Sequence, residues 1–535
     1  MFLIPFVSLI ICYPLRQPTI LQSSVIAIIL LITLIVATFK KHLNPDLSIE
    51  SLPYLAMPVI LFASINRHLE HSTNNSIMSF SMFVATLIIF SQKESLGKWL
   101  PRSMAICANI HLVLQIFGMI THNEKMAVST IFPLANEMTF FYMVTIFSSI
   151  FIYFKDPSTF WKKYSAVIGL QTFIFIILGP IIHTKKLEIV SEHALGIWLG
   201  LLCGILFAIT LFLWKKINLP KKPFLSLSAL IFLIIISVPI IVVNSNIFNS
   251  TSRGEAWTRI DNWRAGWKII QDKPFGVGFG SYGANVMQRW PALEESNTGE
   301  TGYGATIFSD AHSQYLQILT EIGWLGWLYY CALFAIPWFV SIFRYLKTGE
   351  PRFICIAGAL AAMLSTMTVA EAISMFAFIQ IIHWMFLIYC VKILMPLRAK
   401  DVRVKIFEIR NMFLIISIPL IAFLIYDRGK QIYSKYLFLE YPLTRAIETY
   451  PKNSEALGFV WSYYLQQENF QEALKTLDKI EEMAGYSWPV SQARAETYHT
   501  MGDTEKACEI AKFPITHYTD PWTLNLKEAL QCEYR

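Results

Sequence analysis

Arg259 and His312 are the two side chains of this sequence best placed to act as an anion clamp and a proton acceptor. Arg259 stands in WTRIDNWRAGWKIIQD, where a planar guanidinium can fork onto the oxygens of an anionic group. His312 stands in AHSQYLQILTEIGWLGW, at the head of an apolar run, and an imidazole titrates where a general base near neutral pH must. Spacing alone leaves a second reading of each. A tryptophan-rich helix at the headgroup level is a routine membrane anchor, and a histidine at the mouth of a span also serves as a polar end group.

The residues between them set the geometry. Ile260, Trp263, Trp267 and Ile270 recur at helical spacing, with Arg259, Asp261, Arg264, Lys268 and Asp272 on the remaining surface. This predicts an amphipathic helix on the outer membrane surface, ended by Pro274. PFGVGFGSY follows, with Gly276, Gly278 and Gly280 alternating; the spacing is not that of a dinucleotide fingerprint and points instead to a tight turn or a close backbone approach to a ligand. Arg264, Gly276, Gly278 and Gln314 join Arg259 and His312 as candidate substrate contacts, together with Asn136, Lys185 and Lys186 from other outward-facing loops. Walker A, H-E-x-x-H, G-x-S-x-G and cysteine metal spacings do not occur, so neither a metal site nor a cofactor is expected.

These residues need a membrane scaffold. Hydrophobic residues make up 55% of the 535 and charged residues 15%, with a mean hydropathy of +0.47, far too apolar for a soluble chain of this length. Apolar runs at 2–13, 19–39, 53–65, 76–90, 104–120, 138–154, 164–182, 194–214, 224–243, 323–343, 353–370, 373–395 and 412–426 predict an all-α bundle of 12–13 spans. The net charge of +7 does not indicate nucleic acid, because the Lys and Arg residues sit in short clusters between apolar runs. With a cytoplasmic N-terminus, roughly twenty-one basic residues fall in inner loops against roughly five in short outer ones, which turns the long loop and the tail outward. The expected organisation is transmembrane helices over 1–243, a catalytic loop over 244–322, further transmembrane helices over 323–426 and a soluble helical domain over 427–535. In that last segment Tyr464, Ala473 and Leu477 recur as Tyr498, Ala507 and Ala511, an offset of 34 residues typical of tetratricopeptide-like hairpins. Six cysteines lie in apolar runs as packing residues, while Cys508 and Cys532 lie in the tail, where an extracytoplasmic location would permit a disulfide.

The pattern R-x3-W-x3-W, then D-x-P-x-G-x-G-x-G-x-[FY], then H-x2-[YF]-L-Q-x3-E-x-G-x2-G over 259–326 resembles the superfamily of O-antigen ligases, O-antigen polymerases and bacterial O-oligosaccharyltransferases. The resemblance implies a bacterial inner-membrane enzyme with a periplasmic loop and tail, which transfers a glycan en bloc from an undecaprenyl-pyrophosphate carrier to a hydroxyl without a metal. It implies that Arg259 holds the pyrophosphate and that His312 takes the acceptor proton, in a single displacement that inverts the anomeric carbon. Ser313 stands where many relatives have asparagine, and TKKLEIVSEHALGIW lacks their upstream arginine, leaving Lys185 and Lys186 as point charges in its place. The helical tail favours a protein acceptor, through its Ser or Thr hydroxyls. The alternatives are ligation to lipid A core or polymerisation of repeat units, and, in a different class, transport of the same lipid-linked sugar.

Overall fold

The computed structural model describes residues 51–65, 72–91, 156–183, 195–244, 255–289, 311–369, 377–394, 454–484, 488–517 and 521–532, with shorter stretches between them. In chain order the named elements are β1 (Asp46–Ser48), α1 (Leu52–Ala63), α2 (Ser72–Ser91), α3 (Thr159–His183), α4 (Leu195–Lys216) and α5 (Lys221–Asn244). Then come α6 (Glu255–Asp272), α7 (Tyr282–Arg289), α8 (Gln314–Thr348), α9 (Pro351–Val369), α10 (Ala377–Leu394) and β2 (Arg403–Lys405). The tail contains α11 (Ser454–Gln466), α12 (Phe470–Ala484), α13 (Trp488–Thr500), α14 (Thr504–His517) and α15 (Pro521–Leu530).

Among the described residues, three helical stretches are long and apolar enough to cross a membrane: Lys221–Val238, Gln314–Thr348 and Pro351–Thr368. The runs predicted at 2–13, 19–39, 104–120 and 412–426 lie wholly or almost wholly outside the described residues. The surfaces of the long helices are themselves apolar. Leu202, Leu206, Ile209 and Phe212 on α4, Leu227, Leu230, Leu233 and Ile234 on α5, and Leu325, Leu328 and Ile336 on α8 are all exposed. A contiguous apolar belt of this kind is stable facing lipid and costly facing water. Inside the belt, α4 packs on α9 through small residues: a Cβ on Gly204 would come within 2.6 Å of the Ala362 Cβ and the Gly358 carbonyl. Close backbone approach substitutes here for the hydrophobic driving force that lipid removes.

Hydrogen bonds sort the connecting segments to the two ends of this bundle. At one end Lys215 Nζ donates to Leu346 O at 2.7 Å and Lys392 Nζ to Ile89 O at 2.6 Å. Arg102 forks onto the buried Asp156 carboxylate at 2.6 and 2.7 Å, and its guanidinium lies 4.8 Å from the centre of the Trp161 ring. β1 and β2 form a short antiparallel ribbon with Leu47 opposite Val404 in an otherwise helical structure. These are the loops to which charge bias assigns one common side. At the other end, Ile65 makes a parallel bridge to Phe279, α6 packs against α7 and α8, and His312 sits at the head of α8.

The tail repeats bond for bond. Asn469 N–H donates to Tyr464 O and Asp503 N–H to Tyr498 O, both at 2.9 Å, while Glu468 and Gly502 take the left-handed turn position in each hairpin. Ala473 and Ala507 are fully buried at matching positions, where a methyl group is all the close helix approach admits. Trp461 Nε1 donates to Thr497 Oγ1 at 3.0 Å, and Arg494 reaches Asp478 and Glu481 at 2.7 Å each, tying the first hairpin to the second. Cys508 and Cys532 are joined in a disulfide with Cα atoms 5.7 Å apart and a sequence separation of 24. Closing a loop of that size stabilises by about 3 kcal/mol in the chain-entropy description. Cys508→Ser is therefore expected to lower the unfolding midpoint of the tail, and reductant should lower the wild type to the same value; identical midpoints with and without reductant would contradict this.

Candidate active site

α8 is two helices joined at a break. Gly323 adopts φ 72° and ψ −177°, a conformation outside the helical region and essentially confined to glycine. Breaking the ladder frees carbonyls and amides that must find partners in a buried place, and the glycine-rich turn supplies them. Val277 N–H donates to Thr320 O at 3.1 Å, Gly278 N–H to Glu321 O at 2.9 Å, and Trp324 N–H to Pro274 O at 3.2 Å. The fit leaves no room for side chains. A Cβ on Gly276, where φ is 91°, would run into the Glu321 carbonyl, and one on Gly280 into the Asn75 side chain. The close approach expected of these glycines is thus to the broken helix of the protein itself. The N–H groups of Gly276 and Gly278 donate to the Lys273 and Glu321 carbonyls, so the structure places both residues in the turn.

The same break orders His312. Ala311, its neighbour, is held from both sides: Trp263 Nε1 donates to Ala311 O at 2.6 Å, and Ala311 N–H donates to Gln317 Oε1 at 2.7 Å. Gln317 Nε2 donates to Glu321 Oε1 at 2.7 Å, which also accepts from the Tyr282 N–H at 3.2 Å. Glu321 is buried, and its Oε1 takes both bonds, one from the amide of Gln317 and one from the first N–H of α7. Tyr282 Oη lies 2.9 Å from the main-chain carbonyl of Asn262 and 2.9 Å from its side-chain oxygen, closing the network back onto α6. His312 itself has φ 48°, a left-handed conformation for which histidine is among the more tolerant residues. Ser313 follows in an extended conformation as N-cap of α8. Ser313 Oγ is buried without a hydrogen-bond partner among the described residues, one residue from the imidazole.

α6 departs from its expected place. Asn262, Trp263, Ala265, Ile269 and Ile270 are buried, so the helix is packed into the end of the bundle rather than resting on a membrane surface. Trp267 is half-buried and meets Trp324 edge-on at 6.1 Å, and Trp324 meets Trp327 in the same way at 5.7 Å. The helix starts at Glu255, which makes Arg259 part of it, one turn before Trp263. Trp263 bonds to the residue beside His312, so the two ends of the long polar stretch are brought together through the backbone of α6. The Arg259 side chain, Lys185, Lys186 and Asn136 lie outside the described residues. Arg264 is half-buried on the same helix. Gln314 is buried beneath His312, with its side chain against Tyr330.

The residues that hold the site together were present as letters in the sequence pattern without a stated role. Trp263, Gln317, Glu321, Gly323 and Tyr282 each occupy a recurrent position of the pattern, and each makes a contact that only the fold discloses. A comparison with curated proteins returns no match. A family model described as O-antigen ligase matches residues 187–331, from before α4 through α6, the glycine-rich turn, His312 and the break in α8. That match spans the hydrogen-bonded site just described and supports a place for the chain in the O-antigen ligase superfamily.

Proposed function

We propose that this protein moves a glycan en bloc from undecaprenyl pyrophosphate to Ser or Thr hydroxyls of exported proteins. The hydrogen bond from Trp263 to Ala311 carries the reading, because it joins the helix of Arg259 to the backbone beside His312. Arg259, with Arg264 as a further cation and Lys185 or Lys186 in place of the superfamily's upstream arginine, holds the pyrophosphate. Asn136 contributes a polar contact to the glycan. The acceptor hydroxyl attacks the anomeric carbon as His312 takes its proton; the bond from that carbon to the pyrophosphate oxygen breaks, the anomeric configuration inverts, and undecaprenyl pyrophosphate leaves. The site faces the periplasm from the inner membrane. The disulfide between Cys508 and Cys532 supports an extracytoplasmic tail, since such bonds persist in oxidising compartments. Its paired helices form a tetratricopeptide-like surface suited to a protein acceptor.

The test uses the purified full chain with a lipid-linked glycan and, in separate reactions, a pilin-like protein and lipid A core. Glycan on the protein with release of undecaprenyl pyrophosphate is the expected result, and deletion of 435–535 should reduce it selectively. Capping of lipid A core with no protein product would make the chain a ligase instead, elongation of the carrier-linked glycan a polymerase, and the absence of any released pyrophosphate a transporter.

A further inference from the structure

The end of α8 remote from His312 contains a cleft that the transfer reaction does not use. It has a volume of about 870 Å³ and is walled by α5, the last turns of α8 and the start of α9. Leu225, Ala229, Phe339, Val340 and Phe343 make its inner wall apolar, and Arg344, Lys347 and Arg352 stand at its mouth. The mouth is built by a tight turn: Gly349 takes the left-handed position after α8 and donates to Tyr345 O at 2.7 Å, and Pro351 then starts α9. The Arg344 and Arg352 guanidiniums lie 5.6 and 4.5 Å from the centre of the Phe353 ring, fixed over one aromatic side chain. Glu350, which pairs with Arg352 at 2.9 Å, is the one acidic residue among those that line the cleft. Lys215, whose Nζ reaches the Leu346 carbonyl, adds another cation at the same end.

Distance separates this cleft from the candidate active site. From the break at Gly323 to Arg344 the helix rises about 32 Å at 1.5 Å per residue, close to the thickness of a hydrocarbon core. Trp324 and Arg344 therefore mark opposite faces of the membrane, and the cleft opens to the leaflet on the far side from His312. A wall for acyl chains beneath a basic mouth at headgroup level is the chemistry that recognises a lipid with an anionic headgroup.

We infer that the cleft between α5 and α8 binds an anionic phospholipid of that opposite leaflet, with its phosphate between Arg344 and Lys347 and an acyl chain along Ala229, Phe339 and Phe343. The site is distinct from the donor site, and the inference does not depend on the function proposed above. Loss of two cations near a headgroup should weaken binding roughly 10- to 30-fold.

The full chain is reconstituted in vesicles of mixed phosphatidylglycerol and phosphatidylcholine, extracted, and the lipids it retains are counted by native mass spectrometry. The wild type should retain phosphatidylglycerol in excess of its share of the vesicle, and Arg344→Gln with Lys347→Gln should bring the ratio back to that share. Lys347→Glu, a change at an exposed position, repeats the test if the double variant folds poorly, and Ala229→Trp should expel lipid of either kind from the cleft. Retention in proportion to the vesicle composition by the wild type, or an unchanged excess in the Lys347→Glu protein, would overturn the inference.

Discussion

Substituting His312 with glycine or asparagine is expected to lower glycan transfer by roughly 10²- to 10⁴-fold, the usual contribution of a general base, while the unfolding midpoint stays close to that of the wild type. The backbone makes these two substitutions informative. At φ 48° His312 occupies a conformation that most side chains resist, and glycine and asparagine are the residues that accept it most readily. The hydrogen bonds from Trp263 and to Gln317 engage main-chain atoms of Ala311 and do not use the His312 side chain. What disappears is the imidazole. The rate of undecaprenyl pyrophosphate release, measured beside thermal unfolding in detergent, separates the two contributions. A His312→Gly enzyme within about threefold of the wild-type rate would show that the position serves the backbone alone.

Gly323→Ala should be among the most destabilising single methyl additions in the membrane region. The alanine would have to adopt φ 72° with ψ −177°, at a cost of about 1–3 kcal/mol. Its Cβ would stand 2.5 Å from the Phe275 carbonyl carbon and 2.6 Å from Pro274 O, which are backbone atoms and cannot rotate aside. Moving that turn strains the bonds from Val277 and Gly278 to the freed carbonyls of α8, each worth about 1 kcal/mol. The expected total is roughly 3–5 kcal/mol, with loss of transfer because Glu321 and Gln317 shift with the turn. A Cβ on Gly326 would come within 2.6–2.9 Å of the Ile322 side chain, whereas one on Gly458 meets nothing within 4 Å, so the two provide graded comparisons. Equal unfolding midpoints for the Gly323 and Gly458 variants would refute the account of the break.

Legibility in the sequence followed the range of the interactions. The hairpins of the tail were readable because each repeat imposes the same local demands, and Ala473 with Ala507 and Tyr464 with Tyr498 record them 34 residues apart. The disulfide was readable only as permitted, since spacing does not fix how close two chains pass. The apolar run predicted from residue 323 begins nine residues inside α8, because Gln314, Gln317, Thr320 and Glu321 lower the average over any window. All four are nonetheless buried, and Gln317, Thr320 and Glu321 are stable there because they bond to groups close by, where hydropathy alone would exclude them. The β1–β2 ribbon joins segments of three residues that are far apart in sequence, too short to carry a pattern. At the site, residue chemistry offered His312 as one candidate base and the resemblance gave it a role, whereas the hydrogen bonds beside it engage backbone atoms of Ala311, a residue with no chemistry to notice.

That last arrangement has a consequence for related chains. The clamp on Ala311 consists of a tryptophan, a glutamine and two main-chain groups, and none of them requires an imidazole at the next position. A descendant that kept Trp263, Gln317, Glu321 and the glycines but exchanged His312 is expected to fold with the same broken helix and match the same family model, while losing whatever the imidazole contributes to the proposed transfer. On the proposed role of His312, shared architecture and retained activity would part at a single letter, and such a relative would be recognised by the residue after the clamp rather than by any loss of overall similarity.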